Sequence, residues 1–369
     1  MRILHVYSGN LFGGVEKMLL TLAENSSQDL QHHFALVFSG RLSQMLQALS
    51  SPCDLLYPVK LRSPRSIWRA RSRFKSLLHS KNYEAIIFHE KWSYLLFADL
   101  VPASHKNKFL WVHDEFKNEG FLEKALVKLS PKKMICNSMF TKGSMENFFP
   151  NADKHVIYCP VTPPTVAGQS ANVDQIDWRR ELGLPKETKL IAQVSRFEPW
   201  KGHKLHLHAL AELKKFTLQS SWHVLIVGGA QKSSDQALLA ELREMSESLG
   251  LSSRVSFLGF RDDIDHLLTQ VDILCQPNLR GEPFGIAFIE AMYQGVTVVT
   301  TQLGAAKEIF ADGGGVLVEP EDPVALARAL KQLICSDDLS DLGERARQRA
   351  LEISKPETVQ KQLCELFGA

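Results

Sequence analysis

The sequence predicts an α/β protein of two Rossmann-like domains, each a parallel sheet with helices on both faces. Three observations predict it. Short apolar runs alternate with helical patterns in two successive series, the rhythm of βαβ units. Between the series, Val161 to Asp177 carries Pro163, Pro164, Gly168, Gln169 and Ser170, the composition of a linker. Charge divides at the same place: residues 1–165 carry a net +8 and the remainder −6, within +2 for the whole chain. Halves so different in charge are expected to meet different partners. The predicted domains are residues 1–165 and 166–354.

Composition bounds the function. A chain of 369 residues is long enough for two full cores, and 44% hydrophobic with 23% charged residues is the balance of a soluble globular protein. Met1-Arg2-Ile3-Leu4-His5-Val6 reads as a buried strand rather than a signal peptide, and no apolar run approaches a membrane span. Six cysteines stand scattered without metal spacing, as in a reduced, cytoplasmic protein. No nucleic-acid partner is expected.

In the first half, strands are expected at Ile3–Tyr7, Phe34–Phe38, Ala85–Phe88, Lys108–Val112 and Lys133–Cys136. Binding sites of such sheets lie at the carboxyl ends of the strands. After the first strand comes Gly9-Asn10-Leu11-Phe12-Gly13-Gly14-Val15-Glu16, which opens a helix. It lacks the G-x-G-x-x-G spacing of a nicotinamide-dinucleotide site. Gly13 and Gly14 suit either a plain βα turn or a close approach to a phosphate or sugar. Lys60 to Lys81 holds eight bases and no acid. From Pro64 it reads as an amphipathic helix with Ile67, Trp68, Arg71, Phe74, Leu77 and Leu78 largely on one face. It either covers the sheet with a solvated basic side or lies on an anionic membrane surface. His113 follows a strand directly, as a structural residue or a ligand contact at the sheet's edge. Glu115, Glu119 and Glu123 read as a solvated face, and Ser138 as a helix cap.

In the second half, strands are expected at Lys189–Val194, Trp222–Val227, Arg254–Phe257, Ile273–Gln276, Thr297–Thr300 and Gly315–Val318. Arg196 and Lys201 fall in the loop after the first, a planar fork and a point charge suited to a diphosphate. Gly228 closes the next strand. Phe260 and Arg261 follow the third, where a flat base could rest. Asp262, Asp263 and Asp265 read as acids favoured at a helix start rather than as metal ligands. The most informative stretch is Glu282-Pro283-Phe284-Gly285-Ile286-Ala287-Phe288-Ile289-Glu290. It breaks from a loop into a helix whose first N–H groups, at Gly285, Ile286 and Ala287, form an anion site. Glu282 and Glu290 bracket that site and suit the acceptance of hydrogen bonds from sugar hydroxyls.

In their order and spacing these motifs resemble the family-4 glycosyltransferases, the glycosyl transferases group 1, retaining enzymes of the GT-B fold. The resemblance covers nearly the whole chain and is strongest from Ile191 to Leu330. The family's Glu, seven residues, Glu pattern is Glu282 and Glu290 here, and the basic pair is Arg196 and Lys201. Gly13-Gly14-Val15-Glu16, Val112-His113-Asp114, Asn137-Ser138 and Leu258-Gly259-Phe260-Arg261 fit as well. Val156 to Thr162 departs from the family's Asn-Gly-Val-Asp at the end of the first domain. The resemblance implies two domains facing a central cleft, with a last helix, 355–369, crossing back to the first. It implies transfer of a hexose from a nucleotide-diphosphate sugar, UDP-hexose ahead of GDP-mannose, with anomeric retention and without metal or other cofactor. His113, Arg196, Lys201 and Glu282 would carry the chemistry. Gly13, Gly14, Gly228, Phe260, Arg261, Phe284, Gly285, Ile286, Ala287 and Glu290 would hold the donor. The acceptor would be a glycan, a lipid-linked glycan or a small molecule. Peripheral attachment to the inner face of the cytoplasmic membrane is an option. The alternatives are a phosphorylase-like or epimerase-like enzyme on the same fold, and a non-catalytic nucleotide-sugar-binding partner.

Overall fold

The computed structural model describes residues 1–9, 12–60, 62–164, 176–217, 220–230, 232–336 and 339–368. Most of the expected linker, residues 165–175, lies outside them. The chain forms two compact units, Met1–Thr162 with Ile353–Ala369, and Pro163–Glu352.

The first unit is built on seven parallel strands: β1 (Arg2–Tyr7), β2 (Gln31–Leu36), β3 (Cys53–Leu55), β4 (Ala85–Phe88), β5 (Lys108–Val112), β6 (Lys133–Cys136) and β7 (Asp153–Val156). Their spatial order is β3-β2-β1-β4-β5-β6-β7. The chain winds outward one way from β1, then crosses back to β4 and winds the other way. The switch point therefore lies between β1 and β4, where such sheets bind ligands at the carboxyl edge. Strands buried on both faces read as near-continuous apolar runs, as β4 does throughout and β5 does after Lys108. Two edge strands escape that signal: β3 spans three residues, and β7 is the polar run Asp153-Lys154-His155-Val156. Strand β2 begins three residues before the expected Phe34 and carries the buried His32 and His33.

The helix Pro64–Ser80 packs Ile67, Ala70, Phe74 and Leu77 into this unit's core. Trp68 does not join them. One residue turns a helix by about 100°, so Trp68 leaves the 67-70-74-77 stripe and stands 69% exposed among Arg65, Arg69 and Arg73. Glu123 is also placed differently from expectation. It is buried at the start of the helix Phe121–Leu129, accepts from the Glu119 N–H at 2.9 Å and pairs with Lys91 at 2.5 Å. An N3 glutamate in a capping box points back over the helix start rather than out to water. Ser138 does cap its helix, its Oγ accepting from the Thr141 N–H at 3.1 Å. The last helix, Pro356–Phe367, packs on this first unit: Phe367 lies on Phe109 and its carbonyl accepts from Asn107 at 3.1 Å.

The second unit repeats the plan with six parallel strands: β8 (Lys189–Val194), β9 (Trp222–Val227), β10 (Val255–Gly259), β11 (Ile273–Gln276), β12 (Thr297–Thr301) and β13 (Gly315–Val318). The order β10-β9-β8-β11-β12-β13 puts this switch point between β8 and β11. Its core joins β8, β9 and β11 to the helices His203–Leu213 and Pro323–Ile334 through Leu207, Leu210, Val224, Leu326 and Leu330. Each such side chain contributes about 1.5–3 kcal/mol on burial. Among the described residues, no helix is long and apolar enough to cross a membrane.

Candidate active site

The second unit's switch point gathers the loops after β8 and β11. The loop after β8 runs through Arg196 into a short 3-10 turn, Pro199–Lys201, and then through Gly202 into the helix His203–Leu213. Gly202 is required there. Its backbone is left-handed, at φ +73°, and an added Cβ would stand 1.8 Å from the Pro277 carbonyl oxygen. The two loops are thus pressed together at the backbone, and the Leu279 N–H donates to the Trp200 carbonyl at 2.7 Å. Beneath them, buried Gln193 donates to the Lys201 carbonyl at 2.9 Å. Its own oxygen lies 2.9 Å from His206 Nδ1. An amide oxygen only accepts, so His206 carries its proton on Nδ1.

This packing brings Lys201 and Glu282 together, 81 residues apart in sequence. Nζ lies 2.7 Å from Oε2, with the two side chains 12% and 10% exposed. Asn278 donates to the same carboxylate oxygen at 3.1 Å. The Lys201 ammonium also sits 3.9 Å from the centre of the Trp200 ring, and the Arg280 guanidinium 4.4 Å from it. A ring face attracts cations. The backbone of Glu282 is fixed too, its carbonyl accepting from Ala305 at 2.8 Å.

Three residues on, Gly285 takes φ +94° and opens the helix Ile286–Tyr293. The first bond of that turn runs from the Phe288 N–H to the Gly285 carbonyl, at 2.9 Å. Among the described residues, no backbone carbonyl accepts from Gly285, Ile286 or Ala287. Phe284 is buried, so its ring serves the interior. Glu290 is half-buried one turn further along.

The remaining candidates line the same sheet edge. Arg196 is held 3.1 Å from Glu198. The Gly228 N–H donates to the Gly259 carbonyl at 2.9 Å, closing the ends of β9 and β10. Phe260 stands exposed beyond them. Arg261 is engaged locally: it gives two hydrogen bonds to Asp263, at 2.7 and 2.6 Å, and lies over the Trp178 ring. The pairing holds the Asp263 carboxyl below the usual range. Among the described residues, no three His, Cys, Asp or Glu side chains are grouped to hold a metal.

The first unit's switch point is lined by residues that motif reading passed over. The Gly13 N–H donates to Glu16 at 2.8 Å, and Tyr7 donates to the same carboxylate at 2.7 Å, so the glycine turn is anchored through a buried acid. Glu90, after β4, accepts from Ser8, after β1, at 3.1 Å. Its other oxygen is buried without a partner. Burial pushes the Glu90 carboxyl up to about 7, against the hydrogen bonds from Ser8. His113 is half-buried just past β5, its Nε2 3.0 Å from His89 Nδ1. Burial pushes it down to about 3. The sequence signal for Glu90 was its position: it stands two residues beyond an apolar strand, in the loop at the carboxyl edge.

Residues 174–349 match the family described as glycosyl transferases group 1. Among curated relatives, a D-inositol 3-phosphate glycosyltransferase of Corynebacterium urealyticum is 36% identical over 193 residues, 51% of this chain and 45% of that protein. Its counterpart in Salinispora tropica is 32% identical over 222 residues, 57% of this chain and 43% of that protein. The matches thus span less than half the length of these relatives. Among solved structures, Anabaena Alr3699/HepE, in complex with UDP and glucose, superposes with a TM-score of 0.83 at 23% identity, covering 100% of this chain and 99% of that one. The lipopolysaccharide outer core galactosyltransferase WaaB superposes at 0.72 with 17% identity, covering 100% and 99%. The second unit belongs to the glycosyl transferases group 1, on a chain whose fold is GT-B.

Proposed function

We propose that this chain transfers a hexose from a nucleotide-diphosphate sugar to an acceptor hydroxyl, with retention at the anomeric carbon and without a metal. One observation carries the reading. At the switch point of the second sheet, a mostly buried lysine–glutamate pair stands three residues before a helix start with open N–H groups. A nucleotide sugar has both chemistries those groups serve, an anionic diphosphate and neutral hydroxyls. Departure of the diphosphate is the hard step, and fixed positive groups stabilise the charge that grows on it. Lys201, Arg196 and the N–H groups of Gly285, Ile286 and Ala287 supply that charge. Glu282, fixed by Lys201 and Asn278, accepts from hydroxyls of the transferred sugar, and Glu290 from the ribose. The leaving phosphate oxygen takes the acceptor's proton on the face it departs from. On the first unit, Gly13, Gly14 and His113 form the edge that meets sugar hydroxyls. Phe260 offers a flat face to the base. UDP-hexose is the favoured donor, in keeping with the UDP held by the Anabaena structure of the same fold.

The test is a thermal-shift panel of nucleotides and nucleotide sugars, followed by NMR of the product anomer. A UDP-hexose should give the largest shift, and the product should keep the donor's anomeric configuration, with full rates in excess EDTA. An inverted anomer would overturn the mechanism, and rates restored only by Mn²⁺ would overturn metal independence. Phosphate-dependent breakdown or epimerisation of free donor would favour the other enzyme readings, and binding without turnover a non-catalytic partner.

The acceptor reading has a separate support. Trp68 is exposed among Arg65, Arg69 and Arg73 on the helix Pro64–Ser80. An aromatic ring amid bases suits an anionic lipid surface, and with it a lipid-linked or surface glycan as acceptor.

A further inference from the structure

The first sheet contains a line of four histidines, of which the transfer chemistry proposed above uses only the last, His113. His32 lies on β2, His5 on β1, His89 just past β4 and His113 just past β5. Parallel register pairs Ile3 with His32, Val6 with Phe88 and Phe88 with Leu110. Counted along β1, the histidines therefore stand at the levels of residues 3, 5, 7 and 9. Each is one strand over and two residues higher, so all four share a face and climb a diagonal to the carboxyl edge. Their ring nitrogens meet in one sense throughout. His32 Nδ1 lies 2.8 Å from His5 Nε2, His5 Nδ1 2.8 Å from His89 Nε2, and His89 Nδ1 3.0 Å from His113 Nε2. The rings are near-parallel at the upper steps, His5 on His89 at 26° and His89 on His113 at 15°.

A neutral imidazole carries one N–H and one lone pair. Each contact needs one proton, so a ring out of step would set two N–H groups or two lone pairs face to face. Four neutral rings in line then have only two arrangements: every proton on Nδ1, or every proton on Nε2. Burial favours the neutral form of all four; His32 is pushed down to about 4 and His113 to about 3, with His5 and His89 well below their ordinary value.

The ends of the line choose between the two. His32 Nε2 and His113 Nδ1 are both buried without a partner. Protons on Nε2 would strand an N–H at His32, deep in the sheet. Protons on Nδ1 leave only a lone pair there and place the spare N–H at the carboxyl edge. Either arrangement leaves one N–H unpaired, and only at the carboxyl edge, where such sheets bind ligands, can a bound group accept from it.

We propose that His32, His5 and His89 are positioning residues that hold His113 in its Nδ1–H tautomer, as a hydrogen-bond donor to a hydroxyl of the bound sugar. This rests on the reading above that His113 meets the sugar. It also excludes His113 Nδ1 as a base, since that nitrogen has no lone pair to offer.

Long-range imidazole ¹⁵N–¹H correlation on the full chain at pH 7 tests the relay without substrate, and His→Gln variants assign the rings. All four should show protonated Nδ1 and bare Nε2. A protonated Nε2 on any of them overturns the relay, and the wild-type spectrum decides this whether or not a variant folds. His89→Phe removes the donor to His113 Nε2. Its His113 should then move to the Nε2–H form, with kcat about tenfold lower and the donor KM little changed. His89→Gln, which can accept from His5 and donate to His113, should restore both the Nδ1–H signature and most of kcat. Equal rates in the two variants would refute a positioning role. A wild-type rate in His113→Phe, which has no N–H to give, would remove the sugar contact, and with it the function assigned to the line, while leaving the tautomer result intact.

Discussion

Breaking the pair between Lys201 and Glu282 is expected to cost more than the loss of a surface ion pair. The two side chains are 12% and 10% exposed, 2.7 Å apart. Removing one member of a buried pair leaves the other charge desolvated, which costs about 3–5 kcal/mol. Partial access of water argues for the lower end, so Lys201→Met should cost about 3 kcal/mol. Part of that is the ammonium's contact with the Trp200 ring, worth roughly 1 kcal/mol. Glu282→Gln keeps an oxygen for Asn278 to donate to and should cost less, about 2 kcal/mol. The double variant strands no charge, so its cost should fall short of the sum by at least about 1.5 kcal/mol. For a unit of this size, Lys201→Met corresponds to roughly 6–12 °C in Tm. Urea unfolding followed by tryptophan fluorescence, over the four proteins of the cycle, measures the coupling. Single variants costing under about 0.5 kcal/mol, with additive effects, would refute a buried, coupled pair.

Three further outcomes follow from the geometry. Gly202→Ala puts a Cβ against the Pro277 carbonyl and a left-handed backbone on an L residue, so it should lose well over the 1–2 kcal/mol that the backbone alone costs; a melting temperature unchanged within a degree would contradict the close approach. Glu90 gives stability a pH slope. Its folded value, about 7, exceeds the ordinary 4.5, so its contribution is complete below pH 4.5 and falls away as pH rises through 7, by about 3 kcal/mol. Glu90→Gln should flatten that slope in urea titrations between pH 4.5 and 7.5, and parallel slopes would place the carboxyl in a wetter site. On the helix Pro64–Ser80, Trp68→Ala should reduce flotation with anionic liposomes severalfold without changing the melting temperature, because that ring packs on nothing in the core. Equal flotation of the two proteins would remove the membrane assignment.

The sequence was most legible where one physical signal decided the matter. Strands buried on both faces are mostly apolar, so β4, β5, β8, β9 and β11, each with an apolar run at its centre, were read at their observed bounds. The edge strands β3 and β7 are short or polar, since one side of each has no strand to pair with, and they gave no such run. Strand β2 was read late because His32 and His33 look hydrophilic as letters, yet both are buried. At the candidate site, Lys201 and Glu282 were each legible as chemistry at a strand end. Their direct pairing was not. It depends on the backbone contact of Gly202 with Pro277, a property of how two loops pack. Trp200 and Asn278 were missed for the same reason: each acts through a neighbour that only the fold supplies.

The histidine line shows why such groups stay hidden. Along the chain, His5, His32, His89 and His113 are separated by 27, 57 and 24 residues, and no periodicity joins them. What joins them is register. A parallel sheet sets neighbouring strands at fixed offsets, and the order β2-β1-β4-β5 differs from the order of synthesis because the chain crosses back at the switch point. With β4 placed anywhere else in the sheet, His89 would not stand between His5 and His113. The crossover that makes the carboxyl edge a binding site therefore also assembles the line that ends there. If that line sets the state of His113, the sheet supplies more than a platform for its loops. Its interior then fixes which atom of an edge residue can donate, and a substitution two strands from the edge becomes a test of chemistry at it.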